Sequence, residues 1–289
     1  MASLGLWVKG ARLRTLPLAL APVVLGTGSA VLAGAFDLGL ALLALVVALS
    51  LQIGVNYAND YSDGVRGTDD VRVGPARLTG SGAVEAHLVK RAAFMSFGVA
   101  LLAGAIIILI SGLWWFVAIG AFAVVAAWLY TGGPKPYGYA GLGEVVVFLF
   151  FGLVATTGTA AIMIGEIPLE AWLTGSAAGF FAAAVLLVNN IRDIEQDKVA
   201  GKRTLAVRMG QKPATWLLIV LLLMPYAILA ALSLMFFFAP VVFITSVLTG
   251  VIIVIVVAAK TPRELVTALG LMTMNALLYA VGLALAIAL

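Results

Sequence analysis

Long runs of apolar residues recur along the chain, and they restrict its fold more than any other feature. One of them, LGLALLALVVALSLQIGV at residues 38–55, contains no charged side chain. A run of roughly 20 apolar residues spans the hydrocarbon core of a bilayer as an α-helix. Of the 289 residues, 63% are hydrophobic and 10% are charged, whereas soluble domains carry about 25% charged residues. The sequence therefore predicts an all-α, multi-pass membrane protein.

Nine such runs predict a bundle of nine transmembrane helices that forms a single membrane-embedded domain over residues 1–289. The predicted spans are residues 15–36, 39–61, 91–111, 113–131, 142–163, 169–190, 214–237, 240–259 and 265–288. The basic start and first apolar run resemble a cleaved signal peptide. Because that run has the full length of a span and eight more follow, we expect it to be a retained helix.

All 17 Lys and Arg residues lie on one side of this predicted bundle, the side of the N-terminus. The connection between the second and third spans alone holds Arg66, Arg72, Arg77, Lys90 and Arg91. Cytoplasmic segments of membrane proteins are enriched in Lys and Arg. The N-terminus is therefore predicted to be cytoplasmic and the C-terminus to lie outside. The pI near 9.4 follows from this topology, so we expect membrane lipid as a partner and no nucleic acid.

Two cytoplasmic connections, near residues 62–90 and 191–213, begin with acidic clusters at the ends of predicted helices. The two clusters are Asn56, Asp60 and Asp63, and Asn189, Asp193 and Asp197. Residues three, four or seven positions apart share one face of a helix. Like charges at this spacing repel one another, so a bound cation would stabilise the arrangement. The alternative is that these are ordinary solvated residues at the membrane interface.

The chemistry of the available ligands indicates which cation would bind. The chain has no Cys and a single His, His87, so the ligands would be oxygens, which suit Mg²⁺, Mn²⁺ or Ca²⁺. Mg²⁺ usually binds one or two carboxylates together with phosphate oxygens and water. The sequence predicts two Mg²⁺ ions, with Mn²⁺ as an alternative, shared with a phosphate-bearing ligand. The predicted metal ligands are Asn56, Asp60, Asp63, Asp193 and Asp197.

Basic residues follow both acidic clusters and could bind the phosphates of such a ligand. Arg66 follows the first cluster, and Lys202 and Arg208 follow the second. Lys135 lies in the glycine-rich turn YTGGPKPYGYAGLGE, where glycine lets the backbone approach a ligand closely. Lysine binds phosphate as a point charge. For Lys135 alone, an ordinary basic loop is an equally good interpretation.

Taken together, these stretches resemble the UbiA-type intramembrane prenyltransferases. Asn56-x-x-x-Asp60-x-x-Asp63 is similar to the first aspartate-rich motif of that family, and Asp193-x-x-x-Asp197 to the second. ARLRTLPLALAPVVLGTG, GVNYANDYSDGVRGTDD, LYTGGPKPYGYAGLGE and NNIRDIEQDKVAGKRTLAVRMG resemble its 1,4-dihydroxy-2-naphthoate polyprenyltransferase branch. Leu13 stands where that branch commonly has proline, which affects only the entry to the first helix.

The resemblance implies transfer of a polyprenyl group from polyprenyl diphosphate to 1,4-dihydroxy-2-naphthoate, with loss of diphosphate and CO₂, giving demethylmenaquinone. It implies a Mg²⁺-dependent enzyme of the bacterial cell (inner) membrane whose active site faces the cytoplasm. The implied catalytic residues are Asp60, Asp63, Asp193, Asp197 and Lys135. The implied diphosphate-binding residues are Asn56, Asn59, Arg66, Lys135, Asn189, Lys202 and Arg208. The implied substrate-binding residues are Tyr130, Tyr137 and Arg12.

Two alternatives remain open at this stage. The aromatic acceptor could differ, for example a 4-hydroxybenzoate-type ring or a chlorin. The acidic clusters could instead couple ions in a secondary transporter. Transporter sites lie near the bilayer midplane in broken helices, whereas these acids lie at the ends of helices, which favours the enzyme. Tyr130 and Tyr137 could likewise belong to an interfacial aromatic belt.

Overall fold

The protein is all-α in a computed structural model that describes residues 3–68 and 77–289, and these ranges contain no β-strand. The predicted fold class is thereby confirmed. Arg72 and the rest of the connection over 69–76 lie outside the described residues. The helices are α1 (Leu4–Ala11), α2 (Pro17–Leu32), α3 (Leu38–Val65), α4 (Ala86–Ser111), α5 (Phe116–Leu129), α6 (Gly143–Ile164), α7 (Leu169–Arg192), α8 (Ile194–Val199), α9 (Leu205–Met209), α10 (Gln211–Leu232), α11 (Ala239–Ala258) and α12 (Pro262–Ala288).

Each of the nine predicted runs coincides with one of these helices, but they are not nine equal spans. Among the described residues, seven helices are long and apolar enough to cross a membrane: α3, α4, α6, α7, α10, α11 and α12. The segments Leu4–Thr15 and Pro17–Leu32 meet at 51° and together could form an eighth, bent span. Helix α5 has only 14 residues, about 21 Å of helix. The number nine therefore stays a prediction.

Helix α7 lies at the centre of the bundle. Inside the protein, 72% of its apolar window is buried, against 22% for α3, and it packs against α2, α6, α10 and α12. Small residues let α6 approach it closely, because a Cβ on Gly152 would lie 2.3 Å from the Gly179 Cα. Small residues at such contacts drive helix association in membranes. This contact fixes the start of α6 beside the end of α7.

Helix α6 contains a π-helical segment, Leu149–Val154, at the same contact. Such segments are rare and occur frequently at functional sites. The chain therefore departs from regular α-helix beside the cavity described below.

Candidate active site

A chamber of about 520 Å³ lies among α2, α3, α4, α5, α6 and α7. Aliphatic and aromatic side chains form most of its wall. Apart from Thr159 on α6, its polar lining residues lie on one side of the bundle, the predicted cytoplasmic side. They are Arg12, Thr15, Gln52, Asn56, Asn59, Tyr130, Tyr137 and Asn189. The chamber is thus apolar along its length and polar at one end, which suits a ligand with a long apolar tail and a polar head.

Asp63 connects three segments of the chain at this polar end. One carboxylate oxygen lies 2.8 Å from Nη1 of Arg77, and the other lies 3.1 Å from Nζ of Lys202. The Tyr139 hydroxyl donates to the second oxygen as well. The Asp63 side chain is 3% exposed, so these contacts are shielded from solvent. The first acidic cluster and the segment after the second are therefore in direct contact.

Asp197 is the buried carboxyl group of the second cluster. Burial raises its pKa to about 6; Lys202 opposes the rise, while Asp193 and Asp63 add to it. Lys202 joins the two clusters, since its backbone N–H donates to the Asp197 carbonyl at 2.8 Å while its ammonium contacts Asp63. Asp63 and Asp197 therefore both lie near Lys202, and a further cation would favour the ionised form of both acids.

Asp60 and Asn59 hold neighbouring loops in place. The two carboxylate oxygens of Asp60 accept hydrogen bonds from the backbone N–H groups of Leu78 and Thr79, at 2.9 and 2.8 Å. The Asn59 side-chain oxygen accepts one from Thr131 Oγ1 at 2.8 Å. Both residues belong to the first acidic motif. In the structure each of them anchors a neighbouring segment of the chain, a role that their spacing in the sequence did not reveal.

The predicted basic residues fall into different environments. Arg66 donates to the carbonyls of Thr131 and Gly133, so its guanidinium fixes the turn after α5. Lys135 is exposed on that turn and makes no ion pair or hydrogen bond with another described residue. Arg208 is exposed and donates to the Arg203 carbonyl at 3.1 Å. Of the predicted diphosphate-binding residues, only Lys202 contacts an acidic residue of the first cluster.

The joint between α1 and α2 supplies another part of the polar end. Asn56 Nδ2 donates to the Ala11 carbonyl at 2.9 Å, and Gln52 Nε2 donates to Thr15 Oγ1 at 3.0 Å. Arg12, predicted to bind substrate, lines the chamber and has φ 53°. L-residues rarely adopt this left-handed conformation, and such strain often accompanies a functional site.

One local expectation is wrong. Helix α7 ends at Arg192 and Asp193 leaves the helical conformation, with φ −99° and ψ 10°, so Asn189, Asp193 and Asp197 do not share the face of one continuous helix. The Asp193 carboxylate instead accepts hydrogen bonds from Arg192, at 2.6 Å from Nε and 2.5 Å from Nη2. A bidentate guanidinium from the preceding residue is a strong local partner, and helical spacing alone could not reveal it.

The predicted substrate-binding tyrosines differ from each other. Both line the chamber, and their rings meet edge to face with centroids 5.6 Å apart. The Tyr137 hydroxyl donates to the Ala126 carbonyl at 2.9 Å, which anchors it to α5. The Tyr130 hydroxyl makes no hydrogen bond with another described residue. Tyr130 is therefore the one of the two whose hydroxyl is available to a ligand.

Comparison with known proteins identifies the family to which this architecture belongs. A sequence profile of the UbiA prenyltransferase family matches residues 19–277. The chain belongs to the UbiA prenyltransferase family. It is 53% identical over 210 residues to the Mycobacterium tuberculosis protein named 1,4-dihydroxy-2-naphthoate octaprenyltransferase, a match that covers 73% of this chain and 72% of that one. The Escherichia coli protein of the same name is 38% identical over 71% of this chain and 68% of that one.

Solved structures share the fold of this UbiA-family chain. A UbiA homolog from Archaeoglobus fulgidus bound to GPP and Mg²⁺ superposes with a TM-score of 0.68 at 18% identity, over 95% of this chain and 97% of that one. A UbiA homolog from Aeropyrum pernix K1 gives a TM-score of 0.69 at 17% identity, over 95% and 98%. The helical arrangement is thus that of known members of the family.

Several residues of the site were not selected from the sequence of this UbiA protein. Arg77 was seen only as one of several loop arginines, although it pairs with Asp63. Tyr139 lies within the quoted glycine-rich turn, and Lys202 lies over its ring at 4.7 Å from the centroid. Asn190 on α7 donates a partly buried hydrogen bond to Glu144 on α6. Position in the quoted motifs was the available signal, but only the fold brings these partners together.

The predicted metal ligands do not form a ready cluster. Among the residues described, no group of three or more His, Cys, Asp or Glu side chains is close enough to hold an ion together. Asp60 is turned toward loop backbone and Asp193 toward Arg192. Asp63 and Asp197 do interact electrostatically with each other. Two carboxylates and oxygen-only chemistry fit Mg²⁺, which takes its other ligands from phosphate and water. The assignment of the ligands stays a prediction.

Proposed function

We propose that this protein transfers a polyprenyl group from polyprenyl diphosphate to 1,4-dihydroxy-2-naphthoate and releases diphosphate and CO₂. The observation that carries the proposal is an apolar chamber whose polar end includes Asn59 on α3, one helical turn before Asp63 and its buried cluster of acidic and basic side chains. The names of relatives at 53% and 38% identity support the choice of acceptor. The product formed in this way is the quinol form of demethylmenaquinone, because the transfer itself oxidises nothing.

The polar end of the chamber is proposed to hold the diphosphate. Lys202 and Arg77 are buried beside it and carry the positive charge that stabilises a leaving diphosphate. Asn56, Asn59 and Asn189 line the chamber at this end and can donate amide N–H groups to phosphate oxygens. Arg66, Lys135 and Arg208 belong to the surrounding turns, where a bound diphosphate would draw in the exposed Lys135 and Arg208.

Mg²⁺ is proposed as the cofactor, as two ions, with Mn²⁺ as a substitute. Asp63 and Asp197 are the foremost candidate ligands, because they are buried acids that interact electrostatically and both lie near Lys202; Asn56, Asp60 and Asp193 complete the predicted set. The Archaeoglobus fulgidus homolog with GPP and Mg²⁺ supports this choice. When bound, Mg²⁺ supplies Lewis acidity to the diphosphate oxygens.

The chamber wall protects the reacting carbon. Breaking the allylic C–O bond leaves a carbocation, which water would trap, so the site must be dry. The walls of α2, α4 and α6 are aliphatic, and Phe116, Phe150, Phe151 and Tyr130 add aromatic faces. Aromatic faces attract cations. The residues of the chamber therefore both exclude water and stabilise the intermediate until the naphthalene ring attacks.

A purified-enzyme assay with labelled prenyl diphosphate and a panel of acceptors tests the proposal. We expect transfer to 1,4-dihydroxy-2-naphthoate and little transfer to 4-hydroxybenzoate or a chlorin. Asp63→Asn should lower the transfer rate by about 100-fold or more, because the headgroup site loses an acidic group at its centre. Glu166→Gln, an exposed change on the opposite connection, serves as the control and should be fully active. Preferred transfer to another ring, or near-normal Asp63→Asn activity, would contradict the proposal.

The membrane placement is part of the same proposal. We count nine spans when the bent first span and the short α5 are included. In this topology the N-terminus and the headgroup site lie on the cytoplasmic side of the bacterial cell membrane. The confinement of all 17 Lys and Arg residues to the segments on that side supports it,. All spans line or support one chamber, so residues 1–289 are proposed to act as one domain.

A further inference from the structure

A second cavity, the lateral groove, lies on the surface of the bundle between residues 241–251 of α11 and 275–286 of α12. Its volume is about 730 Å³, and none of the described residues lines both this groove and the chamber. Aliphatic side chains form most of its wall, and several are exposed, such as Ile244 at 74% and Val247 at 70%. The groove therefore opens to the surrounding lipid. Its polar lining residues are Thr245 and Asn275.

A chain of hydrogen bonds links α10, α11 and α12 beside this groove. Thr245 Oγ1 donates to the Val242 carbonyl at 2.8 Å, and a hydroxyl has only one proton to donate. The Tyr226 hydroxyl, 3.0 Å from Thr245 Oγ1, must therefore donate to Thr245. Thr249 Oγ1 lies 2.9 Å from the Tyr226 oxygen and must donate to it in turn. Thr249 can then only accept from Asn275, whose Nδ2 lies 2.8 Å away.

This direction leaves the amide oxygen of Asn275, Oδ1, without a donor. Asn275 is 0% exposed, and Oδ1 has no hydrogen-bond partner among the described residues. A buried acceptor without a donor is costly. The neighbouring hydroxyls cannot supply a proton, because each already donates to another oxygen. Since Asn275 lines the lateral groove, a ligand in the groove can provide the missing donor.

The depth of Asn275 in the membrane restricts the chemistry of that ligand. Asn275 lies halfway along α12, which is long and apolar enough to cross a membrane. The midpoint of such a helix lies about 15 Å from either face of a hydrocarbon core of about 30 Å. Lipid headgroups do not reach this depth, and acyl chains carry no N–H or O–H group. The donor must therefore belong to a lipid-soluble molecule that carries a hydroxyl into the apolar core.

We propose that the lateral groove binds a prenylated hydroquinone. One ring hydroxyl donates to Asn275 Oδ1, and the prenyl chain lies against the aliphatic side chains of α11 and α12. The choice of this ligand rests on the proposed function, whose product is such a quinol, whereas the groove and its unpaired acceptor do not. The corresponding quinone has carbonyls in place of hydroxyls and would set one acceptor against another. The groove therefore selects the quinol over the quinone.

Photo-crosslinking to the purified protein tests this site. The probe is a prenylated hydroquinone with a diazirine on the prenyl chain beside the ring, kept reduced during illumination. We expect labelled peptides from α11 and α12, with labelling of the chamber wall as the internal reference. Unlabelled hydroquinone should displace the label from α12 at least about tenfold more effectively than the matching quinone or dimethyl ether, which cannot donate to Oδ1. Equal displacement by the three compounds, or no labelling of α11 and α12, overturns the inference.

Two variants separate the groove from the rest of the lipid-facing surface. Val251→Trp places a large ring in the groove and should reduce the labelling of α12 by about tenfold or more. Val254→Trp, the same substitution at an exposed position of α11 outside the groove, is the matched control and should retain it. Asn275→Leu removes the acceptor, so hydroquinone and quinone should then displace the label equally.

Full labelling of α12 in Val251→Trp, or a preference for hydroquinone that survives in Asn275→Leu, contradicts the inference. If Asn275→Leu does not fold, Val251→Trp decides the matter. Failure of the proposed function looks different. The protein would then not prenylate the naphthoate, yet the supplied probe would still label α11 and α12.

Discussion

Asp60 and Asp63 are one helical turn apart, yet the protein uses them differently. Asp63 contacts the side chains of Arg77, Lys202 and Tyr139. Among the described residues, Asp60 accepts its hydrogen bonds from the backbone of the 77–80 loop, through Leu78 and Thr79. By binding this loop, the Asp60 carboxylate fixes Arg77 beside Asp63. At the scale of single residues, the motif therefore contains one carboxylate that pairs with charged side chains and one that holds a loop.

We expect Asp60→Asn to loosen that loop. An amide offers one acceptor oxygen where the carboxylate offers two, and hydrogen bonds to charged groups contribute about 1.5–3 kcal/mol. The variant should unfold at a lower temperature and should be cleaved faster within residues 66–82 in limited proteolysis. Asp37→Asn is the matched control, since Asp37 caps α3 through Leu40 N–H and Asn caps helices equally well. Equal proteolysis of the two variants would contradict the anchoring role.

At the scale of elements, α6 and α7 pack closely because glycines, which have no side chain, lie at their contact. A Cβ on Gly152 would meet the backbone of Gly179 at 2.3 Å and the Gly175 carbonyl at 2.6 Å. Backbone atoms cannot move aside cheaply, so the two helices would have to separate. Because Glu144 lies in the first turn of α6 and Asn190 near the end of α7, separation would also break their hydrogen bond.

Gly152→Ala should accordingly lower both thermal stability and activity. The reason is overpacking, which typically costs about 1–3 kcal/mol. Gly250→Ala on α11 makes the same substitution where nothing lies within 4 Å of the new Cβ, and it should be neutral or slightly stabilising, since alanine favours helix over glycine. Thermal unfolding in detergent and the transfer assay measure both effects. A Gly152→Ala protein as stable as Gly250→Ala would show that the helices can relax.

Hydropathy was sufficient to predict where the helices lie, because each apolar run must bury its backbone polar groups within one helix. It predicted α7 to within two residues of its end at Arg192. It could not predict that Asp193 would leave the helix to bind Arg192, since that depends on a local competition between side chains. Nor could it select Arg77 or Tyr139, whose role comes from contacts with Asp63 across long sequence separations.

At the scale of the whole molecule, the absence of Cys from the sequence makes the proposed topology easy to measure. Single cysteines at Lys198 and at Glu166 occupy exposed positions on opposite sides. In intact cells, a membrane-impermeant maleimide should label Glu166→Cys and should label Lys198→Cys only after the membrane is opened. The reverse pattern would place the headgroup site outside the cell and contradict the positive-inside assignment.

Removal of divalent cations tests the cofactor at the same scale. We expect the purified protein to lose transfer activity in EDTA and to recover it with Mg²⁺, and with Mn²⁺ to a lesser degree, because carboxylate and phosphate oxygens prefer these ions. Lys202 and Arg77 remain in place without the ion, so the thermal midpoint should change little. Full activity after exhaustive chelation would contradict the cofactor assignment, whereas recovery with Zn²⁺ alone would contradict the oxygen-ligand argument.

The short helix α5 has a consequence for the surrounding lipid. If its 14 residues cross the bilayer as proposed, they provide about 21 Å of helix against a hydrocarbon core of about 30 Å. Lipids that border α5 must then compress their acyl chains to match it. The bilayer would then be thinnest next to the wall of the chamber that α4 and α5 form. A prenyl chain too long for the chamber would meet the least ordered lipid there.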